Sequence, residues 1–144
     1  MSGTGAVRVL FVCIGNSCRS PMAEALARQL GAGVLEASSA GIFPASIIQP
    51  ETFRALAERQ VSLESRGPRA VLEVDGSRVD LLVNMSGYPL AGRLAGFAGR
   101  EILWRIPDPI GRTVEIYRQT RDQIEQKVLE LIRELQAGNP VTPG

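Results

Sequence analysis

With 144 residues, 44 % of them hydrophobic and 22 % charged, the chain has room for one domain with a real core. A formal net charge of +1 argues against a broad electrostatic partner, so neither nucleic acid nor an anionic membrane is expected. The lack of histidine removes the commonest general base and metal ligand, leaving acid–base work to carboxylates, Tyr, Lys or Cys.

Residues 1–6 are small and expected to fray. Val7 to Val12 is β-branched and apolar on both faces, which predicts a central parallel strand. The apolar run at 9–14 is too short for a signal core, and nothing approaches a membrane span. A helix is predicted next, with Ser20 able to cap it, Pro21 in its first turn and Glu24 near its positive end. Met22, Leu26 and Leu30, with Ala23 and Ala27, form its buried stripe, and Gly31 ends it. Val34 to Gly41 reads as a second strand, and Ile42 to Gln49 as a loop on the site side. Pro50 opens a helix to about Gln60, with Phe53, Leu56 and Ala57 inward. Ser65-Arg66 falls in a turn before Pro68, and residues 69–75 are weakly helical. Val79 to Met85 is the third strand, Tyr88 to Phe97 a short helix, and Glu101 to Trp104 the fourth strand. Two prolines stiffen the loop Ile106-Pro107-Asp108-Pro109-Ile110-Gly111. The last helix runs from about Thr113 to Ala137, with Tyr117, Ile124, Val128, Leu131 and Leu135 as its apolar stripe. Arg118–Asp122 and Arg121–Glu125 are read as i,i+4 pairs on its solvated face, and 138–144 as a frayed end. The expected fold is a single α/β domain, a four-stranded parallel sheet flanked by helices, with ligands at the strand C-terminal ends.

The chemistry concentrates where the first strand meets the first helix, at Cys13-Ile14-Gly15-Asn16-Ser17-Cys18-Arg19-Ser20. A strand, a tight loop and a helix N-terminus suit a tetrahedral oxyanion: the amides of Ile14, Gly15, Asn16, Ser17, Cys18 and Arg19 can point inward over the helix's positive end. Arg19 adds a planar fork of donors for two equatorial oxygens. Cys13 sits where its sulfur can face the phosphorus as a thiolate nucleophile stabilised by the same groups. The plainer reading is a buried cysteine beside a solvated arginine. Asn16 is expected to hold a left-handed turn through its amide. Cys18 is either a plain loop residue or the partner of Cys13 in a reversible disulfide. Two cysteines within one loop argue against a structural disulfide framework and suit a reducing cytoplasm. No metal-ligand cluster and no cofactor motif is found, and nothing sets an oligomeric state.

Val9 to Leu26 resembles the signature of the low-molecular-weight protein tyrosine phosphatases, a superfamily that includes arsenate reductases. The resemblance implies a Cys-x5-Arg phosphate-binding loop, a phosphocysteine intermediate and an acid in a downstream Asp-Pro, here Asp108. A turn-forming Asp-Pro is the plainer reading of that residue. By the same resemblance Ser20 donates to the Cys13 sulfur instead of capping the helix, and Ser39 supports the loop. Two departures stand out. Leu63 occupies the position of a common family histidine, and Ile110-Gly111 follows Asp-Pro where tyrosine phosphatases carry aromatics, with Phe43 lying short of the other aromatic position. The implied activity is metal-independent hydrolysis of phosphate monoesters, with a phosphorylated protein or small ester as partner. Arsenate reduction with a small external thiol is the alternative, since Val83 to Tyr88 holds no cysteine for an internal relay. A non-catalytic oxyanion-binding module is the third reading.

Overall fold

The computed structural model describes residues 5–63, 67–90 and 92–138. Within them lie four strands, β1 (Val7–Cys13), β2 (Leu35–Gly41), β3 (Leu81–Asn84) and β4 (Arg100–Leu103). The helices are α1 (Arg19–Leu30), α2 (Pro50–Ala57) and α3 (Val114–Ala137). All strand pairs are parallel, in the order β2-β1-β3-β4. The strand β1, apolar and buried from Val9 onward, therefore takes an interior place, where both of its faces are covered.

The alternation of β1 divides the core in two. Val9, Phe11 and Cys13 face a cluster with Met22 and Leu26 of α1, Leu56 of α2, and Ile124, Val128 and Leu131 of α3. Phe11 is fully buried, its ring 5.7 Å from that of Trp104. Losing such a ring costs about 3–5 kcal/mol in typical cores. Leu10 and Val12 point the other way, toward Val71, Leu82, Leu90 and Leu94. One-turn 3-10 helices at Val71–Glu73 and Gly76–Arg78 cover part of that second face. In register, Cys13 ends opposite Gly41, and Val12 lies opposite Asn84. The strand C-terminal ends thus gather on one edge of the sheet.

Several expectations need correction. The helix expected over Tyr88–Phe97 does not form. Gly92 and Gly96 adopt φ of +79° and +80°, and the chain makes separate turns closed by Arg93 N–H to the Leu90 carbonyl and Phe97 N–H to the Leu94 carbonyl. Leu90 and Leu94 imitate a helical repeat, but each anchors its own turn in the second core. Helix α2 stops at Ala57, and Thr52, Ala55 and Leu56 face inward, while Phe53 is half-buried and Ala57 exposed. Ser20 is the second residue of α1 and caps nothing, because the helix starts at Arg19 with no side-chain cap. The expected ion pairs along α3 are replaced by cross-helix ones: Arg118 and Arg121 both bind Glu58, just past α2, and Arg121 is buried. The turn at Ser65-Arg66 and most of the expected frayed ends lie outside the described residues. Among the described residues no helix is long and apolar enough to cross a membrane.

Candidate active site

The loop after β1 is held by its carbonyls. Those of Cys13, Ile14 and Gly15 accept from the N–H groups of Ile42, Phe43 and Ala45, and that of Ser17 accepts from Gln49 N–H and Thr52 Oγ1. The amides of Ile14 to Arg19, by contrast, donate to no other protein group among the described residues. Orphan donors at a helix N-terminus are an anion site in waiting, since buried N–H groups are rarely left unpaired. Gly41 makes the close fit possible: a Cβ there would lie 2.7 Å from the Ile14 carbonyl oxygen and 2.8 Å from Asn16 N.

Asn16 sits at φ +51°, the left-handed conformation expected from its amide. Its Nδ2 donates to Ser20 Oγ and Ser39 Oγ, both at 2.9 Å, and its Oδ1 accepts from Arg69 N–H at 3.0 Å. Ser39 Oγ in turn donates to Glu24 at 2.5 Å, and Arg69 Nε donates to the Ser39 carbonyl. Glu24 is only 2 % exposed and is also paired with Arg28 at 2.9 Å. Glu24 and Arg69 thus join the loop-supporting network in a chain whose Leu63 supplies no polar group. Sequence reading took Glu24 for a helix-end charge and missed Arg69. The signal for Glu24 was its place within the apolar run Met22, Ala23, Ala25, Leu26 and Ala27.

Cys13 and Arg19 fit a Cys-x5-Arg loop. The Cys13 sulfur lies 2.9 Å from Ser20 Oγ and 3.4 Å from Ser20 N. Arg19 is 5 % exposed, its Nη1 donating to the carbonyls of Met85 at 2.7 Å and Ile106 at 2.9 Å. These bonds tie it to the segments following β3 and β4. Its Nε is buried with no partner among the described residues. Nη2 lies 3.5 Å from Asp108 Oδ2. Asp108 is also the turn-former of the plainer reading, accepting from Ile110 N–H at 3.1 Å. Both properties coexist, one on each carboxylate oxygen.

A pocket of about 230 Å³ brings Cys13, Ser17, Cys18 and Arg19 of the loop together with Asp108 and Ile110, and Phe43 and Ala45 complete its wall. Asn16, Ser20 and Ser39 stand behind that wall. A larger groove of about 920 Å³ runs from Asn84 to Pro107 on the far side of Arg19 and contains neither cysteine. The smaller pocket is the one that holds Cys13. Cys18 faces away from such work: its sulfur is 3.4 Å from Tyr117 Oη and 3.6 Å from Ser17 Oγ. Burial pushes its thiol up, with Asp108 adding to the effect. Burial likewise raises Tyr117, and so does the Cys18 contact. Among the described residues no group of three or more His, Cys, Asp or Glu is placed to hold a metal ion.

One pocket thus holds a cysteine sulfur, loop amides without protein partners, a buried guanidinium and a carboxylate. A family model described as low molecular weight phosphotyrosine protein phosphatase matches residues 8–140. The chain belongs to that family. It is 28 % identical over 130 residues to a glutaredoxin arsenate reductase of Synechocystis sp., covering 89 % of this chain and 98 % of the relative. A protein-arginine-phosphatase of Bacillus subtilis is 30 % identical over 145 residues, covering 88 % of this chain and 95 % of the relative. Among solved structures, an arsenate reductase in the phosphate binding state superimposes with a TM-score of 0.81 at 27 % identity, covering 90 % of this chain and 98 % of the other. The low molecular weight phosphatase fold is thus confirmed over nearly the whole chain, and its relatives carry more than one chemistry.

Proposed function

We propose that the protein is a metal-independent phosphatase that hydrolyses phosphate monoesters, aryl phosphate or phosphotyrosine foremost, through a phosphocysteine. The observation that carries this reading is the pocket in which Cys13, the Arg19 guanidinium and Asp108 meet. The Cys13 thiolate attacks phosphorus in line. The amides of Ile14 to Arg19 and the free Arg19 Nε hold the equatorial oxygens where charge is redistributed. As the P–O bond breaks, Asp108 in its protonated form gives its proton to the leaving oxygen. In the second step the same carboxylate takes a proton from the water that attacks phosphorus. The S–P bond breaks, and the thiolate returns to the Ser20 hydroxyl, with inorganic phosphate released. The side chains of Asn16 and Ser39 hold the loop in place, while the Asn16 amide takes its share of the oxygens. Cys13 and Cys18 are both free thiols, which fits a cytoplasmic setting.

The test is steady-state hydrolysis of an activated aryl phosphate at mildly acidic pH with EDTA and reductant present. Cys13→Ser is expected to abolish turnover, and Asp108→Asn to lower kcat by roughly 10²–10⁴-fold. An intact, reduced parent without turnover overturns the reading. A peptide phosphorylated on arginine belongs in the same assay, because one relative is a protein-arginine-phosphatase.

Arsenate reduction is the second reading, favoured by relatives and structural neighbours that are arsenate reductases. Both cysteines lie in the phosphate loop, so this route requires an outside thiol to release the arsenic from Cys13 and carry the electrons. Arsenite production from arsenate and glutathione distinguishes the two.

A further inference from the structure

The pocket opens beside a patch that the proposed chemistry does not use. Phe43 lines the pocket yet is 65 % exposed, and Arg93 lies over its ring, with Cζ 5.8 Å from the centroid. The turns that replace the expected helix fix that position, since Leu90 and Leu94 are buried on either side of Arg93. Ile110 supplies a second exposed apolar side chain at the same opening. The charge on Arg93 is one that no carboxylate answers among the described residues, as is also true of Arg54, Arg105 and Arg133. Arg8, Arg28, Arg59, Arg118 and Arg121 each pair with a carboxylate. Among the described residues Arg93 pairs with none, nor does Arg112, on the turn that starts at Pro109. Near the opening, Asp108 is turned to Arg19.

We infer that Arg93, stacked on Phe43, receives a carboxylate side chain next to the phosphorylated residue, so that the preferred substrate is a phosphorylated segment of an acidic polypeptide. The inference rests on the proposed phosphatase reading and names its substrate class. Phe43 and Ile110 offer apolar surface to the carbon skeleton of the phosphorylated residue. An extended peptide advances about 3.3 Å per residue, so a neighbour one or two positions away comes within reach of a guanidinium beside Phe43. A half-buried arginine at an opening is also less screened than one in open solvent. A small aryl phosphate can meet Phe43 and Ile110 but carries no neighbouring carboxylate to place on Arg93.

Two labelled phosphotyrosine peptides of one length test it, one with Asp and Glu flanking the phosphotyrosine and one with Asn and Gln. Their affinities for the Cys13→Ser protein are read by fluorescence anisotropy, and kcat/KM is read on the parent. The acidic peptide is expected to bind about tenfold tighter at low salt, with the preference shrinking as salt rises. Arg93→Lys, which keeps the charge, is expected to keep the preference, and Arg93→Glu to reverse it. A ratio between two peptides on one protein cancels any loss of folded material. Equal or undetectable binding of the two peptides, or an unchanged ratio in Arg93→Glu, overturns the inference. Turnover of aryl phosphate by the parent judges the phosphatase reading separately, and the binding ratio judges the rim whatever that turnover is.

Discussion

Ser20 has one hydroxyl proton and several neighbours that compete for its oxygen or its proton. It accepts from Asn16 Nδ2 at 2.9 Å, which leaves its own proton for the Cys13 sulfur at 2.9 Å or the Ala40 carbonyl at 3.3 Å. Against a thiolate the choice is settled by charge, because the sulfur then has no proton to give. Asn16 thus does more than shape the loop: by donating, it orients the serine toward the sulfur. A hydrogen bond to a charged group is worth about 1.5–3 kcal/mol. In the proposed chemistry Ser20→Ala is therefore expected to lower kcat by roughly 10- to 150-fold, with the fold intact by circular dichroism. An unchanged kcat would assign the serine a packing role only. Cys18 shows how different an adjacent cysteine can be. Buried against Tyr117, it is held in its thiol form, a poor nucleophile.

At the scale of elements, the site is the place where the end of β2 presses on the loop after β1. The contact at Gly41 leaves no space for a methyl group, and the atoms it would meet are backbone. Gly41→Ala is expected to displace the loop amides and weaken phosphate inhibition and aryl phosphate turnover together, by tenfold or more if an effect of about 1.4 kcal/mol is lost. A phosphate titration of the variant checks this. Much of this region is legible in sequence because its signals are local: an apolar strand, a Cys-x5-Arg loop and a helix start follow one another within a few turns of chain. The loop from Tyr88 to Phe97 is not, because Leu90 and Leu94 have helical spacing while the glycines between and after them bend the backbone away. Arg69 and Glu24 escape for a different reason. Their roles come from contacts across β2, and sequence proximity says nothing of those. The expectation of an acid at Asp108 comes from resemblance alone; its flanking prolines equally describe a turn, and the molecule uses it as one.

On the scale of the whole molecule, α3 is fastened to the segment after α2 by Glu58, which binds Arg118 at 2.8 Å and Arg121 at 2.7 Å. These bonds, Arg118 first and then Arg121, hold the Glu58 carboxyl down at about 2, against an ordinary 4.5. The folded carboxyl therefore binds its proton less readily than the unfolded one. Its contribution to stability is present above about pH 4.5 and is lost as pH falls toward 2. Urea unfolding midpoints between pH 5 and 2 should show the parent losing its advantage over Glu58→Gln across that window, by less at high salt. Parallel curves for the two proteins would show that the link adds no pH-dependent stability.

The two carbonyls that grip Arg19 belong to Met85 and Ile106, 66 and 87 residues further along the chain. Protein synthesis runs from the first residue onward at about 5–20 residues per second, so Ile106 is joined roughly 4–17 s after Arg19. During that interval the nascent chain already carries Cys13 but lacks the carbonyls that lock the arginine beside it. The arginine therefore gains its full set of backbone partners only after the last strand has been made, and the pocket beside Cys13 is completed late in the birth of the chain.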